Sequence, residues 1–377
     1  MPLKINDEIS KIDYSLTEVV PNINNDQTYF ELSDAQNNIK IFIDYVLTPY
    51  TDYKPENYSL FIFKSWILNS ENNIFQAYEK DINERIGWIF PIQSLVSTDH
   101  KYVGNPHFLK YAYVAFLKLL INREQYETFT PPLQTTTDSY RLTEFYGDDI
   151  IILVLSNTQT QKFDNFHIDN YLTSLYSYSY YHCQPIDNLK KINSRANFQS
   201  PGDTRLIIQR NSSYLQEEVY VHRLFKSLLK TEEHPLVRFY LLYQVIELII
   251  EKIFEKSFSD MIDNFQKNTD KNIYELKESI ASISSEKERI STLISRLEKY
   301  FDGNTKTNLL LYCNDLLTAF NSEKKDNLAL ALYAVRSLIV HKFRKLPETD
   351  LPKIEEINKE FENIVIKIIL NYEEISI

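Results

Sequence analysis

Short apolar runs separated by turn residues dominate the first half of the chain and predict β-strands. From Gln27 to about Arg210, β-branched and aromatic residues cluster in "TYFEL", "IKIFIDYVL", "YSLFIFKSW", "IGWIFPI", "DDIIILVL" and "TRLIIQR", as is typical of strands. Between them, "NPHFLKYAYVAFLKLLINRE" carries apolar residues at helical spacing, with Pro106 suited to the first turn. The pattern therefore predicts a mixed α/β region.

The hydrophobic period changes after the polar stretch "QPIDNLKKINSRANFQSPGDT", which contains two prolines and the turn signal Gly202. Ser285 and Glu288 have the spacing of a capping box at a helix start. Because the connections are short, a helical bundle is the expected packing. We therefore predict an α+β protein, with a mixed α/β domain at 1–205 and an all-α domain at 206–377. The predicted helices are "SSYLQEEVYVHRLFKSLLKT", "HPLVRFYLLYQVIELIIEKIFEKSF", "ISTLISRLEKYF", "KTNLLLYCNDLLTAF", "ALALYAVRSLIVHKFRKL" and "LPKIEEINKEFENIVIKIILNY".

The composition narrows the function classes. Of 377 residues, 43% are hydrophobic and 25% charged, as in globular proteins. The net charge of −11 argues against a wholly basic nucleic-acid binder but allows a local basic patch. Cys183 and Cys313 lack metal-type spacing, and five glycines leave no phosphate-binding loop, so we expect no metal and no cofactor. The N-terminus lacks an apolar signal segment and no run could span a bilayer. We expect a cytoplasmic protein without a membrane partner.

One charged side chain, Arg336, lies within the apolar part of "ALALYAVRSLIVHKFRKL", with apolar residues on several helical faces around it. An unpaired guanidinium there would be costly, so we expect a compensating partner. His341 follows after four residues, in the motif "RSLIVH". The motif lies in the penultimate predicted helix, directly before a loop and one last amphipathic helix.

This arrangement resembles the HEPN superfamily, whose ribonuclease members carry an Arg-x4-6-His signature near the end of a small helical bundle. The resemblance covers roughly Ser213 to Ile377. It implies a metal-independent endoribonuclease in which the catalytic residues, here Arg336 and His341, meet their counterparts across a homodimer interface and cleave RNA. HEPN proteins of bacterial toxin and anti-phage defence systems further imply that the N-terminal region senses a trigger or restrains the nuclease. A protein trigger or inhibitor is then a possible partner.

Histidine and arginine suit this chemistry. Cleavage without metal requires removal of the 2′-OH proton, stabilisation of charge on the pentavalent phosphate and protonation of the leaving 5′-oxygen. Histidine exchanges protons near neutral pH, and arginine offers a planar fork of donors to phosphate oxygens. Five residues turn a regular helix by about 140°. Arg336 and His341 therefore converge only if Arg336 reaches round the helix, the helix is distorted or a second protomer contributes.

Two further residues are candidates for auxiliary roles. Ser337 stands where many family members have Asn, Asp or His, and it can still form hydrogen bonds or hold Arg336 instead. Glu247, on the long predicted helix, could orient His341 or neutralise Arg336. It also belongs to a stripe of polar residues at three- and four-residue spacing, and this favours a solvent-facing surface.

A basic segment follows the histidine, formed by Lys342, Phe343, Arg344 and Lys345. It would attract an RNA backbone and offer an aromatic ring for stacking; equally, its charges could simply complement the helix dipole. In family members inhibited by AMP transfer, a tyrosine stands at the position of Phe343. The phenylalanine therefore disfavours that mode of inhibition.

A tyrosine-rich segment and a pair of aspartates could also carry a function. Tyr176, Tyr178 and Tyr180 alternate with serines, so a strand there would present the tyrosines on one face, for binding or, more commonly, for core packing. Asp148 and Asp149 precede an apolar strand, a position used by some metal nucleases, although a turn into a buried strand is favoured.

The alternative function is a non-catalytic HEPN-like module for dimerisation or partner binding in a regulatory or defence complex.

Overall fold

The computed structural model describes residues 3–23, 28–50, 52, 54–121, 128–134, 139–163, 166–183, 198–232, 234–267, 273–342 and 347–375. They form two compact units. The first holds the described residues up to Tyr171, together with 178–183 and 199–209; the second holds 172–177, residue 198 and the described residues from Arg210 onward. The expected boundary at 205/206 lies close to the division at 209/210. The predicted α+β class is confirmed, since strands build the first unit and helices the second.

The strands of the first unit are β1 (Leu3–Asp7), β2 (Ile12–Leu16), β3 (Glu18–Ile23), β4 (Thr28–Asp34), β5 (Ile39–Tyr45), β6 (Tyr58–Lys64), β7 (Phe75–Glu79), β8 (Glu84–Pro91), β9 (Ser139–Tyr140), β10 (Ile150–Ser156), β11 (Tyr181–His182) and β12 (Arg205–Ile208). They include all six that the apolar runs predicted. They form sheets with the orders β11-β6-β10-β8-β7-β12, β3-β4-β5-β9 and β1-β2. Pairing is parallel between β12 and β7 and between β5 and β9. Pro21 in β3 is tolerated because β3 is an edge strand.

The core of the first unit surrounds the central strand β10 and the helix α1 (Pro106–Ile121), which was predicted from its spacing. Phe108 of α1 packs 5.6 Å from the ring of Trp88 in β8, and Phe116 packs 5.2 Å from Phe30 in β4. These aromatic contacts join α1 to two sheets. Two short helices, α2 (Leu142–Tyr146) and α3 (Asn157–Thr160), flank β10 in the sequence.

The tyrosine-rich segment does not form the strand that its alternation suggested. Residues Leu172–Ser177 form the short helix α4, and the neighbouring tyrosines are 1% (Tyr176), 3% (Tyr178) and 1% (Tyr180) exposed. The Tyr176 ring packs edge-on against Phe225 at 5.2 Å. Tertiary packing has overridden the intrinsic strand preference of tyrosine, so these residues serve the core and present no binding face.

The second unit consists of the helices α4, α5 (Val219–Arg223), α6 (Leu229–Thr231), α7 (Pro235–Lys267), α8 (Ile273–Ile283), α9 (Glu286–Leu297), α10 (Gly303–Ala319), α11 (Leu328–Lys342) and α12 (Leu351–Asn371). α5, the π-helical segment Leu224–Leu228 and α6 follow one another where a single regular helix was expected. α8 was not predicted, although Leu276, Ile280 and Ile283 recur in it at helical spacing. α7 begins at the predicted Pro235, and Ser285 caps α9 by accepting the Glu288 N–H.

The packing of the second unit places α11 beside α9 and α10. α12 packs against α7 and α10, with the rings of Phe239 and Phe361 5.5 Å apart. In the part of the chain that the structure describes, none of the helices is both long and apolar enough to cross a bilayer.

Candidate functional site

Helix α11 carries both residues of the Arg-x4-His motif. It begins at a cap in which the Asn327 side chain accepts the Leu330 N–H at 2.9 Å. The residues that face the interior are apolar and recur at helical spacing, whereas Val340 and His341 near its end are exposed. The buried stripe comprises Leu328, Ala331, Leu332, Val335, Leu338 and Ile339. The motif residues flank this stripe on different sides.

Arg336 has the partner that its apolar surroundings required. Its Nη2 donates to Glu247 Oε1 on α7 at 2.9 Å, and Gln244 Nε2 donates to the other oxygen of that carboxylate at 2.5 Å. The guanidinium also lies 5.8 Å from the centre of the Tyr243 ring, within range of a cation–π interaction. The Arg336 and Glu247 side chains are 28% and 29% exposed. Glu247 therefore neutralises Arg336, one of the two roles considered for it, and is only partly solvent-facing.

The charges around Arg336 keep it protonated. Burial alone would lower the pKa of its guanidinium, but the Glu247 hydrogen bond and the charges of Glu286 and Glu247 outweigh burial and raise the pKa. Arg336 lines a groove of about 470 Å³ between α7, α9 and α11, together with Arg289 and Glu251. Glu247, Glu251 and Glu286 thus face two guanidinium groups, so the groove as a whole carries no excess of positive charge.

His341 lies in a different environment. It is exposed in the last turn of α11 and lines a second cleft, of about 450 Å³, between α9, α10 and α11. Tyr333 and Ser337 line the same cleft. Since residues four apart share one face of a helix, Tyr333, Ser337 and His341 form a continuous polar row on α11.

Within one chain, the structure does not bring the two motif residues together. Arg336 lines the groove against α7, and His341 lines the cleft against α10. Ser337 shares the cleft of His341, and Glu247 rather than Ser337 holds Arg336. The two side chains therefore lie on different faces of α11, as helix geometry predicts, and convergence requires a second copy or a rearrangement of Arg336.

The remaining candidate residues belong to the basic segment after His341 and to the aspartate pair before β10. Lys342 is the last residue of α11, whereas Phe343, Arg344 and Lys345 lie outside the described residues. Asp148 accepts a hydrogen bond from Gln93 at 2.6 Å, and Asp149 pairs with Lys64 at 3.3 Å, both in a turn before β10 as favoured. Among the described residues, no three His, Cys, Asp or Glu side chains cluster in a way that could hold a metal ion.

Sequence reasoning missed three residues of the second cleft: Tyr333, Lys287 and Lys325. The four-residue spacing of Tyr333, Ser337 and His341 was a usable signal for the first. Lys287 is on α9 and Lys325 in the loop before α11, so only the packing of three helices brings them to the histidine.

Comparison with known proteins adds no relative: no family model matches the chain, and neither the curated proteins nor the solved structures give a significant match.

Proposed function

We propose that the protein is a metal-independent endoribonuclease whose site uses Arg336 and His341. The observation that carries the proposal is the exposed histidine at the end of α11, on the rim of a cleft that also holds two lysines. The helical setting of the motif and its resemblance to HEPN ribonucleases support the same function. The resemblance to toxin and anti-phage proteins supports a role as a defence effector whose first unit responds to a trigger.

The proposed reaction needs one proton acceptor, one proton donor and one phosphate-stabilising cation. His341 takes the proton of the ribose 2′-OH, and the 2′-oxygen attacks phosphorus. The bond from phosphorus to the 5′-oxygen breaks, and a protonated histidine returns a proton to that oxygen. Arg336 stabilises charge on the phosphate oxygens. The products are a 2′,3′-cyclic phosphate end and a 5′-hydroxyl end.

A second copy supplies what one chain lacks. One histidine cannot be base and acid at the same moment, and Arg336 lies on the other side of α11. A twofold axis near the exposed ends of two α11 helices would double both groups, and C2 is the commonest symmetry of homo-oligomers. In one chain the Nη1 of Arg336 makes no hydrogen bond among the described residues. Nη1 is therefore free to bind a phosphate without breaking the Glu247 pair.

The test uses purified protein, unstructured oligoribonucleotides and EDTA. We expect His341→Ala to lower the cleavage rate by about 10²- to 10⁴-fold, while His234→Ala, which removes another exposed histidine of the second unit, leaves it unchanged. Product ends distinguish this chemistry from metal-dependent hydrolysis. Wild-type cleavage by a folded His341→Ala protein, or a strict magnesium requirement, would overturn the proposal.

Mixed dimers test the composite site. Dimers that pair a wild-type chain with a His341→Ala chain keep one histidine, which cannot serve as base and acid at once, so an excess of His341→Ala protein should lower wild-type activity. The His341→Ala homodimer should be inactive. Activity from a strictly monomeric enzyme, shown by solution mass, would contradict a shared site.

The Arg336–Glu247 pair favours a second candidate, a non-catalytic dimerisation or binding module. In that case the pair only holds α11 to α7, and His341 has no chemical role. Dimerisation in solution without any RNA cleavage, in protein whose helices are intact, would favour this module.

A further inference from the structure

The cleft beside His341 has the size and lining of a site for a small organic group. Its walls include the apolar side chains of Leu317, Leu330, Ala334 and Leu338, and Tyr333 adds one aromatic ring. Its volume of about 450 Å³ lies in the range of small-ligand sites. Tyr333 is half-buried and lines the cleft.

The rim of the cleft is polar and carries an excess of positive charge. Lys287 is exposed and makes no ion pair among the described residues. Lys325 Nζ lies 3.4 Å from Glu323 Oε2. Because the Glu323 side chain is 89% exposed, its carboxylate neutralises the charge of Lys325 only in part. Two lysines against one glutamate give a local positive rim in a chain of net charge −11. An apolar ring joined to an anion complements this surface.

The helix sets the distances between these groups. Tyr333 and His341 are eight residues apart on one face of α11, about 12 Å along the axis, with Ser337 midway. This length accommodates a nucleotide lying along the helix, with its base at Tyr333 and its ribose toward Ser337 and His341. The lysines then lie near the phosphates.

We infer that this cleft binds an unpaired nucleobase of single-stranded RNA, with the Tyr333 ring stacked on the base and Lys287 and Lys325 facing the adjoining phosphates. The inference rests on the proposed function for the role of His341. It adds a binding subsite that the Arg-x4-His motif does not contain. Stacking on a tyrosine tolerates every base, so weak sequence preference is expected.

Binding is measured with a fluorescent 2′-O-methyl oligoribonucleotide, which cannot be cleaved because its 2′-oxygen is blocked. We expect Tyr333→Leu to weaken binding about tenfold or more, and Ala334→Phe, which fills the cleft, to do the same. Lys287→Glu should weaken binding and lower the salt dependence by about one counterion. The matched control Lys324→Glu changes a neighbouring exposed lysine outside the cleft and should have less effect.

The outcomes separate this inference from the proposed function. Wild-type binding by folded Tyr333→Leu and Ala334→Phe proteins, with melting unchanged, overturns the subsite even if RNA is cleaved. Loss of binding in both variants supports the subsite even if no RNA is cleaved, in which case only the nuclease fails. Competition by adenosine or uridine monophosphate at concentrations similar to those of the oligonucleotide would identify a free nucleotide as the ligand and overturn the assignment to an RNA strand.

Discussion

Replacing Arg238 should strongly destabilise the second unit. All five N–H groups of its guanidinium are used: Nε and Nη2 donate to Glu362 Oε2 at 3.0 and 2.6 Å, and Nη2 also donates to the Tyr176 hydroxyl at 2.8 Å. Nη1 donates to the carbonyls of Leu229 and Glu232 at 2.8 and 3.1 Å. One side chain thus joins α4, the end of α6, α7 and α12.

The magnitude follows from burial. The Arg238 and Glu362 side chains are 15% and 3% exposed, so Arg238→Met leaves the carboxylate buried beside an apolar side chain. Removing one partner of a buried ion pair costs about 3–5 kcal/mol. For a unit of this size, the melting temperature should fall by roughly 6–20 °C. Arg238→Lys should recover only part of the loss, because one ammonium cannot reach all four partners.

The assay is urea unfolding followed by far-ultraviolet circular dichroism, which reports mainly the helices. Adding Glu362→Gln to Arg238→Met removes the buried charge and should restore at least about 2 kcal/mol. Arg223→Met, at an exposed arginine of the same unit, should change stability by less than about 0.5 kcal/mol. If Arg238→Met unfolds within about 1 kcal/mol of the wild type, or the double variant is no better than the single one, the reasoning is refuted.

Three further predictions concern other parts of the chain. A Cβ at Gly87 would lie 2.0 Å from a carbonyl oxygen of the adjacent strand, so Gly87→Ala should destabilise the first unit by at least about 2 kcal/mol in urea unfolding; wild-type stability would contradict this close approach. Burial lowers the pKa of His100 below its ordinary 6.5, and its Nδ1 accepts the Tyr102 N–H. The unfolded chain therefore takes up the proton first, and stability present above pH 6.5 should be lost as the pH falls through the folded pKa; His100→Gln should show a smaller loss of unfolding free energy on acidification, and an unchanged loss would refute this. Arg336→Met should cost only about 1 kcal/mol of stability, because the pair with Glu247 is partly exposed; a cost above about 3 kcal/mol would mark the arginine as chiefly structural.

Prediction from the sequence worked best where the signal was local. The helix α1 and the strands β4, β6, β8 and β10 follow from apolar runs of the right period and length, because burial of one stripe or one face determines that period. The helix α8 carries the same signal in Leu276, Ile280 and Ile283 but was not predicted, since its 11 residues repeat the period for only about three turns. Around Tyr178 the sequence pattern was misleading, because the alternation of tyrosine and serine is typical of a strand that does not form there.

The sequence by itself determined the α+β class, the helix that carries the motif and the angle between its two residues, because all three depend on periods along a continuous chain. Only the tertiary structure decided which groups surround them. Glu247 pairs with Arg336 across 89 positions, and Lys287 reaches the cleft of His341 from another helix. Such contacts depend on how whole helices pack, through many weak apolar contacts summed over their length. A short stretch of sequence therefore does not show which helices pack together.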